Sequence, residues 1–67
     1  MNALNLKIER MRKGFTQFSL SKKTGISERM IGHFEQGRHL PSEYQISTIA
    51  AALDIPVNNL IYDMENN

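Results

Sequence analysis

Apolar side chains recur along this chain at helical rather than strand spacing, in five short bursts separated by turn residues. The pattern predicts a first helix over residues 4–13, stopped at Gly14, with Leu4, Ile8 and Met11 as an apolar stripe. Thr16 is placed to cap a second helix over 17–24, which Gly25 ends. Ser27 caps a third over 28–36, closed by Gly37. Pro41-Ser42 introduces a fourth over 43–53, with Ile46, Ile49, Ala50 and Leu53 on one face. Pro56 precedes a short fifth carrying Val57, Leu60 and Ile61. Period-2 alternation never persists long enough for a sheet. The expectation is a single all-α, five-helix domain over residues 1–67, with a short polar tail at 63–67.

Gly25, Ile26 and Ser27 alone separate the second helix from the third. So short a turn makes the helices cross steeply, and Gly25 supplies the left-handed backbone it needs. Leu20, Ile26, Ile31 and Phe34 then share one interior, and small Ser21 lets the helices approach. That is helix-turn-helix spacing, over about residues 17–36.

Size and composition narrow the classes. At 67 residues with no cysteine, stability must come from an apolar core rather than disulfides or thiolate-bound metal. No apolar run approaches the roughly 20 residues that span a bilayer, and the N-terminus lacks a signal-peptide core, so a cytoplasmic protein with no membrane partner is expected. The net charge of +1 points to no partner, but its distribution does. All eight Lys and Arg lie within residues 1–39 against Glu9, Glu28 and Glu35, a net +5. Residues 40–67 hold Glu43, Asp54, Asp63 and Glu65 and no base, a net −4. A basic face for a polyanion and an acidic back is one reading; chance in a short chain is the other.

Two stretches, TQFSLSKKTGISERMIGHFEQG and the looser PSEYQISTIAAALDIPVNNL, resemble the helix-turn-helix repressors of the lambda repressor and Cro type, also called the XRE family. The likeness covers about residues 6–61 and spans several motifs in order at fixed spacing. It implies a lambda-repressor-like fold and sequence-specific binding of double-stranded DNA. It also implies an ion pair of Arg10 with Glu35, tying helix one to helix three, and a phosphate contact from Gln17. Stand-alone relatives regulate prophages, mobile elements, restriction systems or toxin loci. Some positions depart from the pattern. Thr24 replaces a larger apolar residue, which implies a loosely packed turn. Phe18 stands where a polar residue is usual, Asp54 where Gly is common, and Glu9 where an apolar residue is frequent.

Helix three is the element expected to read DNA. At about 100° per residue, Ile31 and Phe34 share one side, while Arg29, Gly32, His33 and Gln36 share the other. Arg29 can donate two hydrogen bonds to guanine, a pair worth roughly 1–3 kcal/mol of discrimination. Glu28 can accept from cytosine, or simply suit the helix dipole. His33 can donate to guanine N7 or to phosphate, or be an ordinary solvated histidine. Gln36 reaches the backbone or a base at the helix end. Gly32 costs the helix about 1 kcal/mol relative to alanine, and its missing side chain lets the backbone come close to the bases. Gln17, Arg38, Lys22 and His39 are the candidate phosphate contacts; for Lys22 and Lys23 a solvated surface charge is the better account.

No catalytic residue or metal site emerges: His33 and His39 lack ligand spacing, and no Gly-rich phosphate loop follows a strand. No cofactor or small-molecule ligand is expected. One domain covers few base pairs, so a homodimer on a two-fold operator is expected, with Val57, Leu60, Ile61 and Tyr62 as the dimer surface. The competing class is a protein-interaction module or co-regulator, in which Phe18 and the Leu4, Ile8, Met11 stripe dock a protein partner.

Overall fold

The computed structural model describes residues 2–63. Five helices, α1 (Leu6–Arg12), α2 (Gln17–Thr24), α3 (Glu28–Gln36), α4 (Glu43–Leu53) and α5 (Val57–Leu60), follow one another through short turns. Two three-residue strands, β1 (Asn2–Leu4) and β2 (Ile61–Asp63), pair antiparallel, with Leu4 opposite Ile61 and Ala3 opposite Tyr62. The architecture is the all-α one that the apolar spacing dictates, with a small ribbon joining the first described residues to the last.

Side-chain chemistry fixes each boundary. Thr16 and Ser42 each cap their helix by accepting from the backbone N–H three residues on, and Ser19 and Gln45 reciprocate in capping boxes. Ser27 accepts from Met30 N–H in the same way. Each such cap contributes about 1 kcal/mol. Gly25 and Gly37 end α2 and α3 at φ 78°, where a Cβ would be strained. Asp54 ends α4 at φ 57°, tolerable because a short polar side chain visits the left-handed region at modest cost.

The first and fifth helices are shorter than the spacing predicts. Leu4 pairs with Ile61 in the ribbon, and Asn5 N–H donates to Leu60 C=O at 2.7 Å, so α1 starts at Leu6. Ile61 turns to φ −120°, ψ 131° and joins β2 instead of extending α5. The Leu4, Ile8, Met11 stripe is therefore split. Leu4 packs against the core from the ribbon, whereas Ile8 and Met11 stand exposed on α1.

Leu6, Leu20, Ile31, Phe34, Ile49, Ala50, Leu53 and Leu60 form one buried cluster drawing on all five helices. Each large side chain there contributes roughly 1.5–3 kcal/mol by leaving water. Leu60 is wholly enclosed in this core, which removes it from the expected dimer surface. Val57 remains exposed and Ile61 half-buried; the side chain of Tyr62 and all of residues 64–67 lie outside what is described.

The α2–α3 turn is not loose. Thr24 Oγ1 donates to Leu20 C=O at 2.8 Å and accepts from Ile26 N–H at 3.1 Å, so a hydroxyl bridges the turn. Glu9 is buried too, accepting from Asn5 Nδ2 at 3.3 Å and from Arg12 Nη1 at 3.1 Å. Those donors satisfy a carboxylate that would otherwise be costly to enclose.

Candidate nucleic-acid interface

The surface built around α3 begins with what lies behind it. Ile31 is fully buried and Phe34 nearly so, pinning one side of the helix to the core. With that side fixed, helical geometry places Glu28, Arg29 and Gln36 in solvent, with Gly32 and His33 half-buried between them. Arg38 and His39, both exposed, follow just beyond Gly37.

An ion pair locks α3 to α1. Arg10 Nε donates to Glu35 Oε2 at 2.6 Å and Nη2 to Oε1 at 3.2 Å, a two-pronged contact whose side chains are only 10% and 4% exposed. Arg10 Nη1 donates to Phe15 C=O at 2.8 Å, so the guanidinium also fixes the α1–α2 turn.

Gln17 joins this network. Its Nε2 donates to Glu35 Oε1 at 2.9 Å, an orientation that chemistry imposes because a carboxylate only accepts. The expectation from the family is a phosphate contact from Gln17. One amide hydrogen is committed inside the protein. The same amide lies over Gly32: a Cβ there would sit 3.8 Å from Gln17 Nε2 and 3.9 Å from Oε1. Gly32 is thus partly sheltered rather than fully outward. Both distances are ordinary contacts, and its φ is not positive, so nothing among the described residues requires glycine here.

The rings of His33 and His39 meet edge to face, centroids 5.2 Å apart and planes at 82°. His33 Nδ1 is enclosed with no hydrogen-bond partner among the described residues. Burial lowers the His33 pKa from its ordinary value, and His39, Arg29 and Arg38 lower it further by repulsion. Lys22 leans its Nζ over the Phe18 ring at 5.5 Å, and Lys23 over Phe15 at 5.6 Å. These lysines lie beside Phe18 of α2 and Phe15 of the preceding turn, and Phe18 itself is 57% exposed.

Helical geometry thus puts Arg29, Gly32, His33 and Gln36 on the side of α3 away from Ile31 and Phe34, the ring contact brings His39 beside His33, and Arg29 and Arg38 are exposed cations. Glu28 stands in the first turn of α3. Among the described residues, no group of three or more His, Asp or Glu side chains is arranged to hold a metal, and no helix is long and apolar enough to cross a membrane. The Gln17 link to Glu35 and the Thr24 bridge were not predicted from the residues; both depend on side-chain rotamers that spacing does not encode.

A family model described as helix-turn-helix matches residues 6–60. The chain is also similar to a protein of Bacillus subtilis (strain 168) described as the uncharacterized HTH-type transcriptional regulator YazB. The two are 40% identical over 48 residues, which cover 72% of this chain and 70% of that protein.

Proposed function

Because the chain belongs to the helix-turn-helix family of DNA-binding transcription regulators, we propose that it is a sequence-specific repressor that binds a (pseudo)palindromic operator as a homodimer, with α3 in the major groove. The observation that carries this reading is the two-sided character of α3. Ile31 and Phe34 anchor it, and Arg29, Gly32, His33 and Gln36 face away. An α-helix fits the major groove, and the residues of its outward face meet base edges there.

Each side chain then has a role. Arg29 reads guanine through a two-pronged donor pair. Glu28 meets a cytosine amino group or the edge of the site. His33 and Gln36 donate to a base or to the backbone. Gly32 keeps the helix surface low where a thymine methyl would sit; its freedom from internal constraint supports a reason outside the chain. Arg38, His39, Lys22 and the remaining amide hydrogen of Gln17 neutralise or donate to phosphates, which supplies affinity and register. Exposed Val57 and the ribbon end at Ile61 and Tyr62 carry the dimer contact. Such a chain works where the chromosome is, in the cytoplasm, on a prophage, mobile-element, restriction or toxin locus.

Selection of bound sequences from a random duplex pool tests the reading. A two-fold motif with half-sites about one helical turn apart is the expected result. A pool with no enriched motif would instead favour a protein-docking module, for which exposed Ile8, Met11 and Phe18 offer an apolar surface. Sedimentation that shows a monomer both free and on the selected palindrome would remove the homodimer.

A further inference from the structure

His33 occupies a position hostile to its own positive charge. Its Nδ1 is enclosed without a partner among the described residues. An imidazolium carries a hydrogen on both nitrogens, so charging the ring leaves a buried donor with no acceptor. The neighbouring group is a second imidazole, His39, set edge to face at 5.2 Å.

The surroundings add to this. Arg29 lies one turn earlier on α3, and Arg38 one residue before His39. Glu35, the carboxylate of α3 nearest in sequence, is held by Arg10 of α1 and Gln17 of α2. Lys22 and Lys23 of α2 lean over Phe18 and Phe15. Glu43 of α4 is exposed and is not among the groups that act on the ring. Every charged group that does act on it, His39, Arg29 and Arg38, carries or gains positive charge. Burial and these neighbours together disfavour charge on His33 in the free chain.

A duplex reverses that balance. Its phosphates place a dense row of negative charge against Arg29, Arg38 and His39, offsetting the repulsion that adds to the burial penalty on a charged His33. We infer that DNA binding by this chain is proton-linked through the His33–His39 pair: the complex takes up from solvent, at His33, a proton that the free chain does not hold. The inference rests on α3 being the reading helix. It goes further, because it makes operator affinity a function of pH. The sign follows from linkage: a complex that binds more protons than its parts tightens as pH falls. His39 acts as a positioning residue, since its ring and charge set how strongly the free state resists protonation.

The test uses the full chain with two probes: a duplex selected by that chain from a random pool, and a mixed-sequence duplex of equal length. Proton NMR follows the ring hydrogens of both histidines through titration, free and with each duplex. In the free chain the His33 midpoint is expected below the ordinary histidine value, and His39→Gln should raise it. With either duplex it should rise. Affinity for the selected duplex should weaken severalfold between about pH 5.5 and about pH 7.5, within the limit of about tenfold per pH unit for one proton. His33→Gln should flatten that dependence while circular dichroism stays constant. A bound midpoint equal to the free one overturns the proposal, as does full pH dependence retained by His33→Gln. If His33→Gln binds nothing, the shift in the unmutated chain on the mixed-sequence duplex decides the matter. A chain that binds neither duplex at any pH in low salt instead refutes the DNA-binding reading beneath it.

Discussion

Arg10 and Glu35, 25 residues apart, meet through two hydrogen bonds of 2.6 and 3.2 Å in a site almost closed to water. The contact joins the first helix to the end of α3, and Gln17 completes it from α2. Three helices are thereby referred to one carboxylate, which sets the attitude of α3. In a domain this small, a helix held only by apolar contacts could rock; a two-pronged ion pair has one good geometry.

Removing one partner leaves the other charge buried and alone. Arg10→Met should cost about 3–5 kcal/mol, which for a domain of this size lowers the melting midpoint by about 12 °C or more. Loss of DNA binding in this variant should track unfolding as temperature is raised, with no separate loss of contact. A thermal melt by circular dichroism checks it, and an unchanged midpoint would remove the pair from the structural account.

Thr24 offers a finer test of the turn. Thr24→Val keeps shape but deletes the hydroxyl that bridges Leu20 C=O and Ile26 N–H. The expected loss is about 1–2 kcal/mol, since the half-buried Ile26 N–H is left without its partner. Thr24→Ser should recover most of it. Urea unfolding of the three proteins side by side measures the difference, and a Val variant as stable as the parent would show the bridge to be dispensable.

What was legible in the sequence follows from range. Gly25, Gly37 and Asp54 act on their own backbone, so the ends of α2, α3 and α4 could be read from the residues alone. Ile31 and Phe34 also follow from local periodicity, because a helix fixes which residues share a side. The ribbon did not: a three-residue strand shows no alternation, and Leu4 meets Ile61 only after the whole chain has folded. Leu60 was misplaced for the same reason, since an apolar residue near the end of the chain reads equally as core or as interface. The enclosure of His33 Nδ1 depends on where a ring comes to rest, which no spacing encodes.

Gly32 separates stability from recognition. Its helical backbone and the 3.8 Å clearance to Gln17 leave room for a methyl, so Gly32→Ala should stabilise the fold by about 1 kcal/mol. Its selected sequences should nevertheless differ from those of the parent. Gly32→Glu should remain folded, with Gln17 shifting aside, and should lose the parent's selected duplex. Melting curves and competition binding measured together distinguish these effects. Tight binding by the Glu variant would show that α3 is not the reader.

Arg29 and Arg38 are both exposed and cationic, yet they should fail differently. Arg29→Ala should cost roughly 1–3 kcal/mol on the selected duplex and relax preference at one base pair per half-site. Arg38→Ala should weaken selected and mixed-sequence duplexes alike and reduce the salt slope by about one per chain. Titrations of both variants across a range of salt separate base reading from phosphate clamping. Identical behaviour would mean that Arg29 touches only backbone.

The lowered pKa of His33 also has a consequence for the chain without DNA. Its folded value lies below the unfolded value, so between the two the unfolded state binds more protons than the folded state. Stability from this group is then intact above about pH 6.5 and declines as pH falls from there toward the lower folded value. DNA affinity should move in the opposite direction over the same window. His33→Gln should remove the decline above about pH 5, where carboxylates have yet to titrate. Thermal melts of the parent and His33→Gln at half-unit pH steps would show two curves converging at high pH and separating below about pH 6.5. Parallel curves throughout would mean that the ring titrates alike in the folded and unfolded chain, and the strain on its charge would then be absent.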